Sequence, residues 1–343
     1  MTKIIQSDDA QGLLEAAESL SNGHLVAFPT ETVYGLGADA LNPRAVKKIF
    51  EAKGRPSDNP LIVHIAELSQ LPLLVRDIPP HAKVLMETFW PGPLTLVFKK
   101  SSKVPDCITA GLDTVAVRMP ENPTALQLIK QSGASVAAPS ANLSGRPSPT
   151  TAQHVAEDLM GRIDYIIDGG PCTVGVESTV LDITAPVPII LRPGGITCEM
   201  LERVLGPIMS DTVLEVHKDQ KPRSPGMKYR HYSPRAGLVL VEGDTEKVVE
   251  RINTLTLEKQ QEGRKIGILT CSENMGRFLG DVIIPAGSLH EPSTLAAGLY
   301  QALRKFDETD VDIIYSEAFC EKGIGQAIMN RLKKAAGGKI INV

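Results

Sequence analysis

Residues 25–37 read LVAFPTETVYGLG, a short apolar run followed at once by a polar loop that contains glycine. The apolar run predicts a buried strand over Leu25–Phe28, and the loop Pro29–Gly37 carries hydroxyls, one carboxylate and two glycines. The same arrangement recurs at Ser135–Ala138, which leads into PSANLSGRPSPT, Pro139–Thr150. Ligands of α/β sheets bind outside the carboxyl ends of strands, so these two loops are the first candidates for a binding site.

Strand-like and helix-like runs alternate through the first 207 residues. Helices are predicted at Ala10–Asn22 and from Pro43 to about Lys53, where Pro43 marks a first helical position. Further strands are predicted at Leu61–Ile65, Leu94–Phe98, Thr114–Arg118, Ser135–Ala138, Tyr165–Ile167, Ser178–Asp182 and Ile189–Leu191. The alternation predicts an α/β fold, with helices around a twisted mixed sheet.

Residues 236–343 repeat the alternation in a simpler form. Strands are predicted at Leu238–Val241, Ile266–Leu269, Val282–Ile284 and Asp312–Tyr315, and helices near Thr245–Glu262, Pro292–Phe306 and Gly325–Lys334. This pattern predicts a smaller, doubly wound (Rossmann-like) α/β domain.

A basic segment separates the two regions. Residues 1–207 hold 20 of the 25 prolines, and the run HKDQKPRSPGMKYRHYSPR inside 208–235 has six Lys or Arg against one Asp. It has no helical or strand periodicity, so we predict a linker between domains 1–207 and 236–343. Its aromatic residues are unusual for a simple spacer, which favours a second role as a lid.

Composition narrows the class of protein. The chain has 343 residues, 42% of them hydrophobic, and a net charge of −4, which excludes a wholly disordered or collagen-like chain. Aromatic residues make up only 4%, which weakens a base-stacking surface. Five Cys without a CxxC pair argue against zinc fingers and a disulfide framework. The absence of a signal-peptide pattern and of a long apolar run predicts a cytoplasmic protein without membrane contact.

The polar loops contain several cations but none of the common catalytic signatures. Lys53 and Arg55 lie in KGRPSDNP, while Arg118 and Arg192 end predicted strands. No P-loop, HExxH or GxSxG motif occurs, so the inventory favours phosphoryl or nucleotidyl transfer on an anionic substrate. Taken singly, a KGR triplet is more often a solvated helix end. A lone His64 in the apolar run LIVHI is more often a core residue.

The loops become specific in combination. PTETVYGLG, KGRPSDNPL, WPGPLTLV, GLDTVAVRMP, APSANLSGRPSPT, GVESTV and LRPG, in this order, resemble the YrdC-like family in its long, two-domain form. The resemblance is dense over residues 10–207 and extends through SPGMKYRHYSP to the C-terminal region. It implies a YrdC-like catalytic domain that makes L-threonylcarbamoyladenylate and pyrophosphate from L-threonine, bicarbonate or CO2, and ATP with Mg2+.

The resemblance also implies a biological role and a set of site residues. The product would pass to the tRNA threonylcarbamoyl transferase complex, which makes N6-threonylcarbamoyladenosine in tRNAs reading ANN codons; a weak contact with tRNA itself stays open. The implied catalytic residues are Lys53, Arg55, Ser140 and Asn142. The implied ATP contacts are Arg55, Asn59, Thr114, Ala138, Ser140, Ser148, Arg192 and the linker residue Tyr229. The implied threonine contacts are Thr32, His64, Arg118 and Ser178. Glu31 and Glu177 are only candidates for the metal, whose ligands stay unknown.

Two alternatives remain at this level. A carbamoyl-transfer protein of the hydrogenase-maturation type has a similar nucleotide-handling domain, but it also carries CxxC zinc fingers and an acylphosphatase-like region, which this chain lacks. An RNA-binding module would use the basic linker. That module would lose RNA affinity steeply with salt and show no threonine-dependent turnover.

Overall fold

The computed structural model describes residues 1–210 and 231–343. Most of the predicted linker, including Tyr229, therefore lies outside the described residues. The described part of the chain forms two compact units. The first contains residues 1–144, 148–173 and 177–210, and the second contains 231–343 together with 145–147 and 174–176. The predicted boundaries at 207 and 235 stay predictions.

The first unit is built on one large mixed sheet. Its strands are β1 (Lys3–Gln6), β2 (Val26–Phe28), β3 (Gly35–Asp39), β4 (Ile62–His64), β5 (Leu94–Lys99), β6 (Thr114–Arg118), β7 (Val136–Ala137), β8 (Tyr165–Asp168), β9 (Thr179–Asp182), β10 (Ile189–Arg192) and β11 (Met209–Ser210). They are ordered β1-β8-β2-β3-β7-β4-β6-β5-β9-β10-β11. Because β4 and β6 run parallel while β5 and β6 run antiparallel, the predicted mixed sheet is confirmed.

Helices pack around this sheet. They are α1 (Ala10–Ser21), α2 (Pro43–Lys53), α3 (Leu71–Leu74), α4 (Pro80–Phe89), α5 (Asp106–Thr109), α6 (Pro123–Ser132), α7 (Ala152–Leu159) and α8 (Cys198–Leu205). Helix α2 shows how sequence sets an element: Asn42 accepts hydrogen bonds from the first turn, and Gly54 at φ 61° ends it. The buried residues Val46, Ile49 and Phe50 anchor the helix, so its last residue, Lys53, has a fixed position.

One sequence prediction is wrong. The loop Pro29–Gly37 is shorter than predicted, because its end is part of strand β3, which pairs antiparallel with β2. A Cβ at Gly37 would lie 2.9 Å from side-chain atoms of both Phe28 and Val136, so only glycine lets these residues pack there. Glycine carries a weak strand propensity, and for this reason the sequence does not predict the strand.

The second unit is a smaller parallel sheet with helices. Its strands are β12 (Gly237–Glu242), β13 (Ile266–Thr270), β14 (Val282–Pro285), β15 (Ile313–Glu317) and β16 (Ile340–Asn342), and its helices are α9 (Thr245–Gln261), α10 (Pro292–Phe306) and α11 (Gly325–Ala336). The strand order β14-β13-β15-β12-β16, with every pair parallel, confirms the predicted doubly wound domain. Among the described residues, no helix is both long and apolar enough to cross a membrane.

Candidate functional site

The end of α2 and the loop after β7 meet around a buried ammonium group. Lys53 is 2% exposed, and its Nζ donates to the backbone oxygens of Ser140 and Asn142, both at 2.5 Å. The Ser140 hydroxyl donates to Asn142 Oδ1 at 2.5 Å. Three of the four predicted catalytic residues therefore lie together. In this arrangement the Lys53 ammonium fixes the shape of the loop that presents Ser140 and Asn142.

The fourth predicted catalytic residue, Arg55, lies in the loop that follows α2 and contacts the later part of that loop. Arg55 Nη2 donates to the backbone oxygen of Pro60 at 3.3 Å, which places the guanidinium beside Asn59. Asn59 is 1% exposed, and neither atom of its amide makes a hydrogen bond within the described residues. A buried amide without partners costs about 1–3 kcal/mol, and a ligand that bonds both of its atoms would remove this cost.

A second cluster forms around the last residue of β6. Arg118 is 3% exposed, donates through Nη1 to Thr32 Oγ1 at 2.9 Å, and through Nε to the backbone oxygen of Gly92 at 3.2 Å. Its Nη2 forms an ion pair with Glu31, whose second oxygen accepts the backbone N–H of Glu121 at 3.1 Å. Thr32 and Arg118, both predicted threonine contacts, are thus brought together.

The Thr32 hydroxyl keeps one acceptor position for a ligand. Thr30 Oγ1 donates to the backbone oxygen of Val33 at 2.6 Å and accepts the backbone N–H groups of Thr32 and Val33 at 3.1 and 3.2 Å, so its 2.9 Å contact with Thr32 Oγ1 does not fix the Thr32 proton. Thr32 Oγ1 accepts from Arg118, which uses one of its two lone pairs. Towards a ligand, Thr32 can therefore accept a hydrogen bond with the other.

His64 joins the same cluster through strand pairing. It ends β4 and lies opposite Arg118 in the parallel register with β6. Burial, and secondarily the nearby Arg118 charge, lower the pKa of His64 to about 3, so the imidazole is neutral at pH 7. Its Nδ1 makes no hydrogen bond to any residue that the structure describes. The histidine is buried like a core residue, yet it lies beside the site cation.

Ser178 links this cluster to Arg192. Arg192 Nη2 donates to the Ser178 hydroxyl at 3.2 Å and to its backbone oxygen at 3.0 Å. On its other side the Ser178 hydroxyl contacts Thr95 Oγ1 at 2.8 Å. Gly194 allows this close approach, because a Cβ there would lie 2.3 Å from Glu177 O and Thr179 N. Ser178, a predicted threonine contact, and Arg192, a predicted ATP contact, are thus joined by a hydrogen bond.

The remaining predicted residues divide into three groups. Ser148 donates to buried Glu177 at 2.6 Å, and Ala138 directly follows β7. Thr114 begins β6 and so lies at the opposite end of that strand from Arg118. Tyr229 lies outside the described residues.

The two metal candidates do not form a metal site. Glu31 is paired with Arg118, and Glu177 accepts from Ser148. In the part of the chain that is described, no group of three or more His, Cys, Asp or Glu could hold an ion. These side chains do not fit a protein-held Mg2+, and such an ion would have to be held mainly by substrate phosphates.

Thr95 is the site residue that sequence reasoning missed. It lies inside the apolar run of β5, where a threonine is an ordinary strand residue. Only the register, which places Thr95 opposite Arg118 on β6, reveals its position in the site.

Family models match most of the chain. Residues 18–194 match the Sua5–YciO–YrdC family model, described as "Telomere recombination", and residues 196–337 match "Threonylcarbamoyl-AMP synthase, C-terminal domain". A Bacillus subtilis protein named threonylcarbamoyl-AMP synthase is 55% identical, covering 99% of this chain and 97% of the relative. A Pyrococcus abyssi protein of the same name is 52% identical, covering 96% and 95%. The structure described as P. abyssi Sua5 complexed with L-threonine is 49% identical, with a TM-score of 0.94, and the match covers 100% of this chain and 99% of that chain.

Proposed function

The chain belongs to the Sua5–YciO–YrdC family and carries the C-terminal domain of threonylcarbamoyl-AMP synthases, and on this basis we propose that it makes L-threonylcarbamoyladenylate and pyrophosphate from L-threonine, bicarbonate or CO2, and ATP. Its relatives share the name of one enzyme, and it is accordingly an enzyme of the nucleotidyl-transfer type. The observation that carries the proposal is the buried Arg118 cluster, which suits an amino acid.

Arg118 is suited to the carboxylate of threonine. A guanidinium has five N–H groups, of which three are used by Gly92, Thr32 and Glu31. One N–H remains on each terminal nitrogen, which matches the two oxygens of a carboxylate. The structure described as containing L-threonine belongs to a relative with the same fold, which supports this choice of amino acid.

The amine end of threonine must be unprotonated to react. Its nitrogen attacks CO2, the N–C bond forms, and one proton leaves the nitrogen, which gives an anionic carbamate. His64 is neutral and places no charge beside the amine, and Thr32 Oγ1 has a lone pair that can accept an N–H from it. Both residues therefore suit the reactive form of the substrate.

The carbamate then reacts with ATP. A carbamate oxygen attacks the α-phosphorus, the P–O bond to the β-phosphate breaks, and pyrophosphate leaves with that electron pair. The nucleophile is already an anion, so the step needs no strong general base. Its barrier comes from charge, which cations must offset. Arg55 and Arg192 are the proposed cations, Asn59 a proposed hydrogen-bonding partner, and Lys53 holds the Ser140–Asn142 loop.

We propose that the product serves tRNA modification. An adenylate of threonylcarbamate is labile in water, so a consuming partner such as a tRNA threonylcarbamoyl transferase complex fits its chemistry. The competing RNA-binding function depends on the basic linker, of which residues 211–230 lie outside the described part of the structure.

Pyrophosphate release tests the proposed activity. The purified full chain should release pyrophosphate from ATP only when both L-threonine and bicarbonate are present. Release that continues without either one would refute the proposal. D-threonine serves as the matched control, since it has the same groups in the wrong configuration.

A further inference from the structure

We propose that Thr95 is a positioning residue for the amino-acid subsite, because it fixes the Ser178 hydroxyl as a hydrogen-bond donor beside Arg118. This inference rests on the proposed function and deepens it. Thr95 lies in the stretch WPGPLTLV, but the sequence and the resemblance assign it no role. Its neighbours on the strand, Leu94 and Leu96, are fully buried and apolar, whereas the Thr95 hydroxyl is a fully buried polar group.

The strand register places Thr95 between two site residues. It is fully buried on β5 and lies directly opposite Arg118 in the antiparallel pair with β6. Directly opposite residues of an antiparallel pair share one face of the sheet. On the other side, β5 runs parallel to β9, which begins just after Ser178. The 2.8 Å contact to the Ser178 hydroxyl is the one hydrogen bond of Thr95 Oγ1 within the described residues.

The direction of that hydrogen bond follows from counting protons. The Ser178 hydroxyl already accepts from Arg192, so it has one lone pair and one proton left. If Ser178 donated to Thr95, the proton of Thr95 would be buried without an acceptor, which costs free energy. If Thr95 donates to Ser178, the Thr95 proton has an acceptor. Two hydroxyls share one hydrogen bond, so one proton is left without a partner among the described residues in either direction. With Thr95 as donor the remaining proton is that of Ser178, which a ligand oxygen can accept, and we therefore infer that Thr95 is the donor.

This direction decides what Ser178 can bind. With both lone pairs used by Arg192 and Thr95, the hydroxyl can act towards a ligand only as a donor. A donor beside the Arg118 guanidinium suits a carboxylate. Thr32 Oγ1 has one lone pair left beside Arg118, and this lone pair can accept an N–H of the amine. With Ser178 as donor and Thr32 as acceptor, the two hydroxyls would distinguish the carboxylate end of the amino acid from its amine end.

Substitution of Thr95 tests this role. Thr95→Val removes the hydroxyl at nearly constant shape, and we expect it to raise the KM for L-threonine about tenfold, the effect of losing one ordinary hydrogen bond. The KM for ATP should stay within about twofold of the wild-type value, since the hydrogen bond between Thr95 and Ser178 orients the amino acid. Thr95→Ser keeps a hydroxyl and should restore the KM for L-threonine. If Thr95→Val does not fold, Thr95→Cys, with its weak donor, takes its place.

Thr109 provides the matched control. It is 1% exposed in the same unit, and its hydroxyl makes no hydrogen bond within the described residues, so Thr109→Val should leave both KM values unchanged. In a Ser178→Ala background the effect of Thr95→Val should disappear.

Two results would overturn the inference. The KM for L-threonine could be unchanged in Thr95→Val. Alternatively, both KM values could rise equally and Thr95→Ser fail to restore them. Failure of the proposed function is a separate result, since the unchanged enzyme would then show no threonine-dependent pyrophosphate release.

Discussion

Arg118 and Glu31 form an ion pair in which the two side chains are only 4% and 5% exposed. The pair joins the last residue of β6 to the loop after β2, so it holds two parts of the candidate site that are far apart in sequence. A buried charge that loses its partner is costly, because water cannot solvate it. The stability of the fold and the shape of the amino-acid subsite are therefore linked at this pair.

Removal of Glu31 should destabilise the protein. We expect Glu31→Ala to lower the free energy of unfolding by about 3 kcal/mol, as for other broken buried pairs. Glu15→Ala, which breaks an exposed pair with Lys3, should leave the free energy of unfolding nearly unchanged. Urea unfolding of both variants measures the difference. Equal losses of stability in Glu31→Ala and Glu15→Ala would contradict the view that the ion pair of Arg118 with Glu31 stabilises the fold.

His64 should make the fold sensitive to acid. Its pKa is about 3 in the folded protein, against 6.5 for an unperturbed histidine, so the unfolded chain binds a proton first as the pH falls. Stability should therefore decline from about pH 6.5 towards pH 3, with the full contribution present above this range. In His64→Gln this part of the decline should be absent. His290→Gln, at a side chain 88% exposed, is the control and should keep the decline of the unchanged protein. Urea unfolding midpoints at about pH 7 and about pH 4.5 measure this effect. An equal loss of stability in the wild-type protein, His64→Gln and His290→Gln would contradict the prediction.

Lys53 should act through the loop that it holds. Lys53→Ala removes the donor to the backbone oxygens of Ser140 and Asn142, so the loop would no longer present its side chains in place. We expect kcat for pyrophosphate release to fall about 100-fold, as when one preorganised donor is lost. Lys47, exposed on the same helix, is the control, and Lys47→Ala should retain full activity. Unchanged turnover in Lys53→Ala would show that the loop does not need this ammonium.

Gly194 should not tolerate a side chain. The Cβ of Gly194→Ala would lie 2.3 Å from the backbone at Glu177 and Thr179, so the LRPG loop would have to move. We expect a loss of about 1–3 kcal/mol in stability together with a raised KM for L-threonine, since Ser178 moves with that backbone. Gly276→Ala has open space around its Cβ and serves as the control. A melting temperature and a KM for L-threonine equal to those of the wild-type protein in Gly194→Ala would contradict the close packing of Gly194 against the backbone of Glu177 and Thr179.

The main elements of the fold can be predicted from the sequence where apolar, β-branched runs form strands. Thr114–Arg118 and Pro292–Phe306 agree with the structure at both ends. Helix α6 is absent from the predicted elements, although Asn122, Pro123 and Gly133 give ordinary start and stop signals. Strand β3 is missing from the predicted elements for a different reason. Its glycines are required by close packing against β2 and β7, and a sequence does not show which strands pack together.

The candidate site shows the same division. Loop composition indicates an anionic substrate, and the family resemblance assigns individual residues, but neither explains how His64, Arg118 and Thr95 come together. Their meeting depends on the pairing of β4 with β6 and of β6 with β5, which a single sequence does not specify. The ion pair of Arg118 with Glu31 and the hydrogen bond from Arg118 to Thr32 likewise emerge only from the structure.

The identity of the product tests the central proposal most directly. The purified full chain should be incubated with ATP, L-threonine and bicarbonate labelled with carbon-13, and the products separated rapidly and weighed by mass spectrometry. We predict a single species that contains AMP, threonine and the labelled carbon, formed in step with pyrophosphate. A labelled carbon that never appears in a species containing both AMP and threonine would contradict the proposal, even if pyrophosphate were released.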